Sequence, residues 1–306
     1  MIGRKALGRS RVPQPVRDVY QWANRSQGRL DASRRVLPNF YVAGTQRGGT
    51  TSLFIYLLRH ELVFGPRRAK AVHYFDTSYH RSVDWYRAQF PRQSTMDRLR
   101  QEHGANAAVG EGAPYYMYNP TIAPRIAALT PEARVIMVLR EPLERALSHH
   151  NHECTRGFEH LGAAEAFDAE PERLAGERAR LEADQKYISH NDIHFSYISR
   201  SRYADQVAQY LDVFGRDQVL VLDSARLHED PAATVREATD FLGLPPLEQQ
   251  EYPRYNQRAH DPVSPEMRER FGPLFEESNA KLAALVPGRL SWLEAGRNRD
   301  DLSEVR

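Results

Sequence analysis

The sequence predicts an α/β fold in which helices cover a central, mostly parallel sheet, and three observations carry that expectation. Strand-like apolar runs alternate with helix-like segments along the chain. The strongest run, Arg134 to Arg140, is apolar on both faces, as a parallel strand buried between helix layers must be. An earlier run ends in a glycine-rich loop that leads straight into helix-patterned sequence.

The elements follow in order. Asn39-Phe40-Tyr41-Val42-Ala43 is a short apolar strand that stops at Gly44, and helical spacing runs from Thr51 through Leu53, Tyr56, Leu57 and Leu58. Ala107 to Glu111 reads as a further short strand. After Arg134–Arg140, Pro142 suits a first helical position, and the helix continues through Leu143, Ala146 and Leu147. A helix from Tyr203 to Phe214 is closed by Gly215 in the manner of a C-cap, and Gln218 to Leu222 forms the next strand. Asp230-Pro231 opens a helix that ends near Leu242-Gly243. The charged stretch from Glu165 to Gln185 reads equally as an exposed helix or as a lid. The chain from Pro262 is helical in pattern and turns polar after Trp292.

The 306 residues fit one large domain, here 37–306, preceded by a basic arm over 1–36. Arg4, Lys5, Arg9, Arg11, Arg17, Arg25, Arg29, Arg34 and Arg35 give the arm its charge. It reads as a solvated extension, or as a surface for an anionic substrate or partner. Across the chain 42 Lys and Arg nearly balance 40 Asp and Glu, so no nucleic-acid partner is expected. Cys154 is the single cysteine, which rules out an intrachain disulfide and suits a reducing compartment. No run approaches the roughly 20 apolar residues of a membrane span, and the N-terminus lacks a secretory h-region. A cytoplasmic protein without stable membrane insertion is expected. The oligomeric state is not legible.

Gly44-Thr45-Gln46-Arg47-Gly48-Gly49-Thr50-Thr51 fits the phosphate-loop pattern G-x-x-x-x-G-K-[ST] at its glycines and last threonine. Thr50 stands where the lysine belongs. Backbone N–H groups and the following helix N-terminus can still cradle an anion, with Arg47 supplying a cation and Thr50 and Thr51 supplying hydroxyls. The next strong strand ends at Arg140 and not at a magnesium-binding aspartate, which argues for an anion bound without metal. Arg140 lies where ligands of open α/β sheets gather, and Ser148, two helical turns on, can share a phosphate with it.

These two motifs, Gly44 to Leu53 and Val135 to Ser148, resemble the donor-binding motifs of sulfotransferases that use 3′-phosphoadenosine 5′-phosphosulfate (PAPS), above all the heparan-sulfate branch and its bacterial relatives. Lys70 to Asp76, Trp85-Tyr86, Glu111 to Tyr116, Tyr203 to Gln206 and Arg258-Ala259-His260 extend the likeness in order over roughly Pro38 to Trp292. The resemblance implies a single P-loop-like domain that takes PAPS, releases the 3′,5′-bisphosphate PAP and needs no metal. It implies that Arg47, Gly48, Gly49, Thr50, Thr51 and Ser52 hold the 5′-phosphosulfate and that Arg140 and Ser148 hold the 3′-phosphate. Tyr203 would lie near the nucleotide and Arg258 on a basic loop closing over it.

Sulfuryl transfer, like phosphoryl transfer, rests on positioning and on stabilising charge at the leaving oxygen. Arg47 is the first candidate for that oxygen; the family commonly has a lysine there, and arginine cannot give up its proton. In the heparan-sulfate branch a glutamate follows the position of Lys70, where this chain has Ala71. If the segment is a strand, Ala71, His73 and Phe75 share a face, so His73 takes the base role, oriented by Asp76. Glu111, His149, His150 and His152 are the alternatives, and Lys70 stands with Arg47, His73, Asp76 and Glu111 among the catalytic candidates. His149 and His152 have metal-compatible i, i+3 spacing without a further ligand in view. The acceptor is a small molecule or glycan, a carbohydrate, lipid or secondary metabolite. Tyr74, Phe75, Tyr79, Trp85, Tyr115, Tyr116 and Tyr118 either line its pocket or belong to the core. A P-loop small-molecule kinase, or an inactive protein that only binds PAPS or PAP, are the competing functions.

Overall fold

The computed structural model describes residues 31–67, 70–247, 251–253 and 262–294. Five strands are described: β1 (Phe40–Gly44), β2 (Val63–Phe64), β3 (Ala108–Gly112), β4 (Arg134–Leu139) and β5 (Val219–Asp223). They form one sheet in the order β2-β3-β1-β4-β5, and every pairing is parallel. The expected α/β architecture is therefore present. β1 lies in the middle, between β3 and β4.

Alternation along the strands divides the core. Tyr41, Ala43, Val135, Met137, Leu139 and Val221 face one side. Phe40, Val42, Ile136, Val138, Leu220 and Leu222 face the other. Each face is covered by helices, so the strands are apolar throughout. The second face packs on α1 (Thr50–Leu57) through Leu53, Phe54 and Leu57. The first packs on α2 (Ile122–Leu129) through Ile122, Ala123 and Ile126.

Two further elements matter for the site. α3 (Pro142–Arg156) follows β4, with Pro142 in its first turn and the Glu141 side chain accepting from Glu144 N at its N-cap. The charged stretch expected as an exposed helix or lid forms α4 (Ala163–Arg173) and α5 (Glu177–Ala183). α4 is not free-standing: Ala166 and Phe167 sit in a third apolar cluster with Leu143, Ala146, Tyr197, Ile198, Phe271 and Phe275.

Of the basic arm, residues 31–36 are described, and they pack on the domain. Ala32 is buried, Val36 N donates to Pro91 O at 3.0 Å, and Arg35 pairs with Asp31 at 2.6 Å. Among the described residues no helix is long and apolar enough to cross a membrane.

Candidate active site

The site is built where β1, β3 and β4 end. Gly44 closes β1 and Gly49, at φ 102°, is the N-cap of α1. A Cβ on Gly48 would lie 2.3 Å from Val138 O, so only glycine lets the loop cross the end of β4. Gly49 has no side chain to cap α1, whose first internal bond is Leu53 N to Gly49 O at 3.1 Å. The N–H groups of Thr50, Thr51 and Ser52 thus have no partner within the helix, and the positive end of the helix dipole lies there. This N-terminus is a fitting seat for an anion.

Two cations flank it. Arg47, in the left-handed region at φ 71°, donates from Nε to Ser148 Oγ at 3.0 Å. Lys70 donates from Nζ to Thr50 Oγ1 at 2.9 Å and to Thr51 Oγ1 at 3.3 Å. Burial pulls the Lys70 amine down to about 7, because the charged form gives up hydration there. The loop and the second motif therefore meet through Arg47 and Ser148. Arg140, the residue after β4, donates from Nε and Nη2 to Glu144 Oε2 at 3.1 and 2.9 Å. Ser148, expected to act beside Arg140, has the loop arginine as a partner as well.

Tyr203 is fully buried, and its hydroxyl donates to Arg140 O at 2.9 Å. It steadies the backbone of Arg140, the residue expected to hold the 3′-phosphate. Arg258, with Ala259 and His260, lies outside the described residues.

The base expectation needs one correction in its geometry. Residues 71–73 form no strand, and His73 has a left-handed φ of 57°, so strand alternation does not set its direction. His73 Nδ1 nevertheless lies 2.8 Å from Asp76 Oδ2, and its side chain is 49% exposed. An Nδ1–H donated to that carboxylate leaves Nε2 as an acceptor open to solvent. The Asp76 hydrogen bond raises the His73 pKa above its ordinary value.

Glu111 is a different case. It is fully buried; Oε1 accepts from Tyr86 OH at 2.9 Å and Tyr116 OH at 2.8 Å, and Oε2 accepts from Val72 N at 2.6 Å. Burial pushes its pKa up. An enclosed carboxylate with three donors cannot reach an acceptor hydroxyl, which corrects its place among the bases. Its bond to Val72 fixes the residue beside His73. His149 is fully buried near Arg145, and His150 Nε2 lies 2.9 Å from Leu161 O; of the three neighbouring histidines only His152 is partly exposed. The suggested aromatic pocket is mostly core: Tyr74, Phe75 and Tyr116 are buried, and Tyr79, Trp85 and Tyr115 pack against the same cluster.

One contact had no signal in the sequence. Arg200, buried, donates to Gln46 Oε1 in the loop and to Asp192 O and Ile193 O, with its guanidinium 4.8 Å from the Tyr118 ring centroid. Gln46 stood inside a recognisable loop, but nothing local marks a distant arginine as its partner.

Comparison with known proteins places the chain in a family. The family model described as "Sulfotransferase domain" matches residues 37–262. A membrane-associated sulfotransferase, kil1, of Dictyostelium discoideum is 25% identical over 84% of this chain and 66% of its own length. Human bifunctional heparan sulfate N-deacetylase/N-sulfotransferase 3 is 34% identical over 69% of this chain, which spans only 23% of that protein. The crystal structure of a sulfotransferase from Alicyclobacillus acidocaldarius superposes with a TM-score of 0.60 at 28% identity, covering 85% of this chain and 99% of that one. With a matching family model over most of its length, the chain belongs to the sulfotransferase family.

Proposed function

We propose that this protein transfers the sulfuryl group of PAPS to a hydroxyl of a carbohydrate acceptor. The observation that carries the reading is the uncapped N-terminus of α1, flanked by Arg47 and by the hydroxyls of Thr50 and Thr51. PAPS supplies a sulfuryl group already joined to a good leaving phosphate. The N–H groups of the first turn of α1 hold the 5′-phosphosulfate, and Arg47 stabilises the charge that grows on the bridging oxygen. Arg140 and Ser148 bind the 3′-phosphate, for which Arg140 exchanges its contact with Glu144.

His73 Nε2 takes the proton of the attacking hydroxyl, and Asp76 holds the ring in the required tautomer. Glu111 fixes the backbone of Val72 beside His73, and Tyr203 steadies the backbone of Arg140. A carbohydrate acceptor is supported by the human relative, which is named for heparan sulfate. The test is incubation with labelled PAPS and a panel of glycans, lipids and phenols. A sulfuryl-sized mass gain on a glycan is expected. Gain on a lipid or phenol alone would overturn the acceptor class, and PAP binding with no transfer to any acceptor would overturn the enzymatic reading.

A further inference from the structure

We propose that Lys70 protonates the leaving phosphate, replacing from outside the loop the lysine that the loop lacks, and that Gly112 is what admits it. The inference rests on the donor reading above.

The loop has Thr50 at its lysine position, yet an amine is present there. Lys70 Nζ reaches both hydroxyls at the start of α1, 2.9 and 3.3 Å away. Its backbone is fixed at the end of β3, where Gly112 N donates to Lys70 O at 2.9 Å. Its stem then passes over Gly112. A Cβ on Gly112 would lie 2.4 Å from Lys70 Cε and 3.2 Å from Cγ. Separations below about 3 Å are not tolerated by packed carbon atoms, so any other residue at 112 displaces the stem.

The surroundings suit proton transfer. The two contacts of Nζ are neutral hydroxyls, and burial makes the free amine accessible near neutral pH. The charged groups around it are otherwise engaged. On its own segment His73 is paired with Asp76; Glu111 on β3 is held by Tyr86, Tyr116 and Val72 N; Arg47 in the loop lies on Ser148. A phosphate arriving at α1 brings a counter-charge that the described residues do not give Lys70, so the amine takes up a proton as the donor binds. During transfer the acceptor oxygen forms a bond to sulfur. The bond from sulfur to the 5′-phosphate oxygen breaks, leaving its electron pair on that oxygen. The hydroxyl proton passes to His73 Nε2, and the Lys70 proton passes to the phosphate. Arg47 stabilises the same charge but keeps its protons. His73 and Lys70 exchange protons with solvent when products leave.

Calorimetry of PAP binding at about pH 8, between the usual ranges of His and Lys, in buffers of different ionisation heat counts the protons taken up. The wild-type protein should take up a proton that Lys70→Met does not. Gly112→Ala, which keeps the amine but blocks its path, should resemble Lys70→Met. Both variants should release PAP from PAPS about a hundredfold more slowly, the scale of losing one transition-state donor. In Lys70→Ala, small primary amines should restore turnover in proportion to their basicity, a response that a merely structural lysine would not give. Equal proton uptake in wild type and Lys70→Met, or unchanged turnover in both variants, overturns the assignment. Failure of the folded wild-type protein to bind PAP overturns the donor reading itself.

Discussion

Lys70 and His73 stand three residues apart, and their surroundings move them in opposite directions, the amine down by burial and the imidazole up by Asp76. Such divergence is how one site holds both an acid and a base near neutral pH. Removing the Asp76 charge should let His73 fall back toward its ordinary value. In Asp76→Asn the acid limb of kcat/KM should therefore move to lower pH, while His73→Ala should lose at least roughly tenfold in turnover with PAP affinity intact. A limb that stays in place in Asp76→Asn takes the titration away from His73. Lys70 carries a stability cost with a definite sign. Its folded value of about 7 lies below that of an unfolded lysine, so below about pH 10 the unfolded chain holds a proton that the folded one does not. The folded state loses ground as pH falls from about 10 to about 7, and little more below that. Lys70→Met should remove this dependence and raise the neutral-pH melting temperature of the ligand-free protein. A lowered melting temperature would show that the two threonine contacts outweigh the desolvation. Arg47, His73 and Asp76 were legible because each is a charged or titratable residue in a recognisable segment. The burial of Glu111 was not, since Tyr86 and Tyr116 enclose it from separate parts of the chain.

At the level of elements, the proposed donor site is divided between the loop with α1, for the sulfur end, and the turn from β4 into α3, for the 3′-phosphate. Arg140→Ala separates these two duties. It should weaken PAP by roughly tenfold to a hundredfold, the range of a hydrogen bond to a charged group. Binding of adenosine 5′-phosphosulfate, which has no 3′-phosphate, should hardly change. Equal losses for both ligands would place Arg140 elsewhere on the nucleotide. β1, β4 and β5 were readable from their unbroken apolar runs, and the helices from caps such as Pro142 and Gly215. β2, with two residues, is too short for any period to show. A strand from Lys70 to Asp76 was only a condition for placing His73 on one face with Ala71, and residues 71–73 form none. The path of this segment is set instead by contacts with β3, through Lys70 O and Val72 N, and those are invisible to local pattern.

Over the whole molecule, the sheet accounts for two cores, and the third joins α3, α4 and the helix Pro265–Phe271 beside the site. Phe167 packs edge-on against Phe271 with centroids 5.2 Å apart, so Phe167→Ala should cost about 3–5 kcal/mol in denaturant unfolding. A loss well below that range would mean that α4 is peripheral, as its charged sequence first suggested. That sequence hid the cluster because two apolar side chains suffice to anchor the helix. The bond between Arg47 and Ser148 has a thermodynamic consequence. It joins parts of the chain 101 positions apart, so the proposed PAP site is complete only when the loop after β1 and α3 are brought together. On the proposed reading PAP is a ligand of the folded state alone. By mass action each tenfold rise in PAP above its dissociation constant should add about 1.4 kcal/mol to the unfolding free energy. The melting temperature should climb without levelling off as PAP is added, and a plateau would reveal that the unfolded chain binds it too.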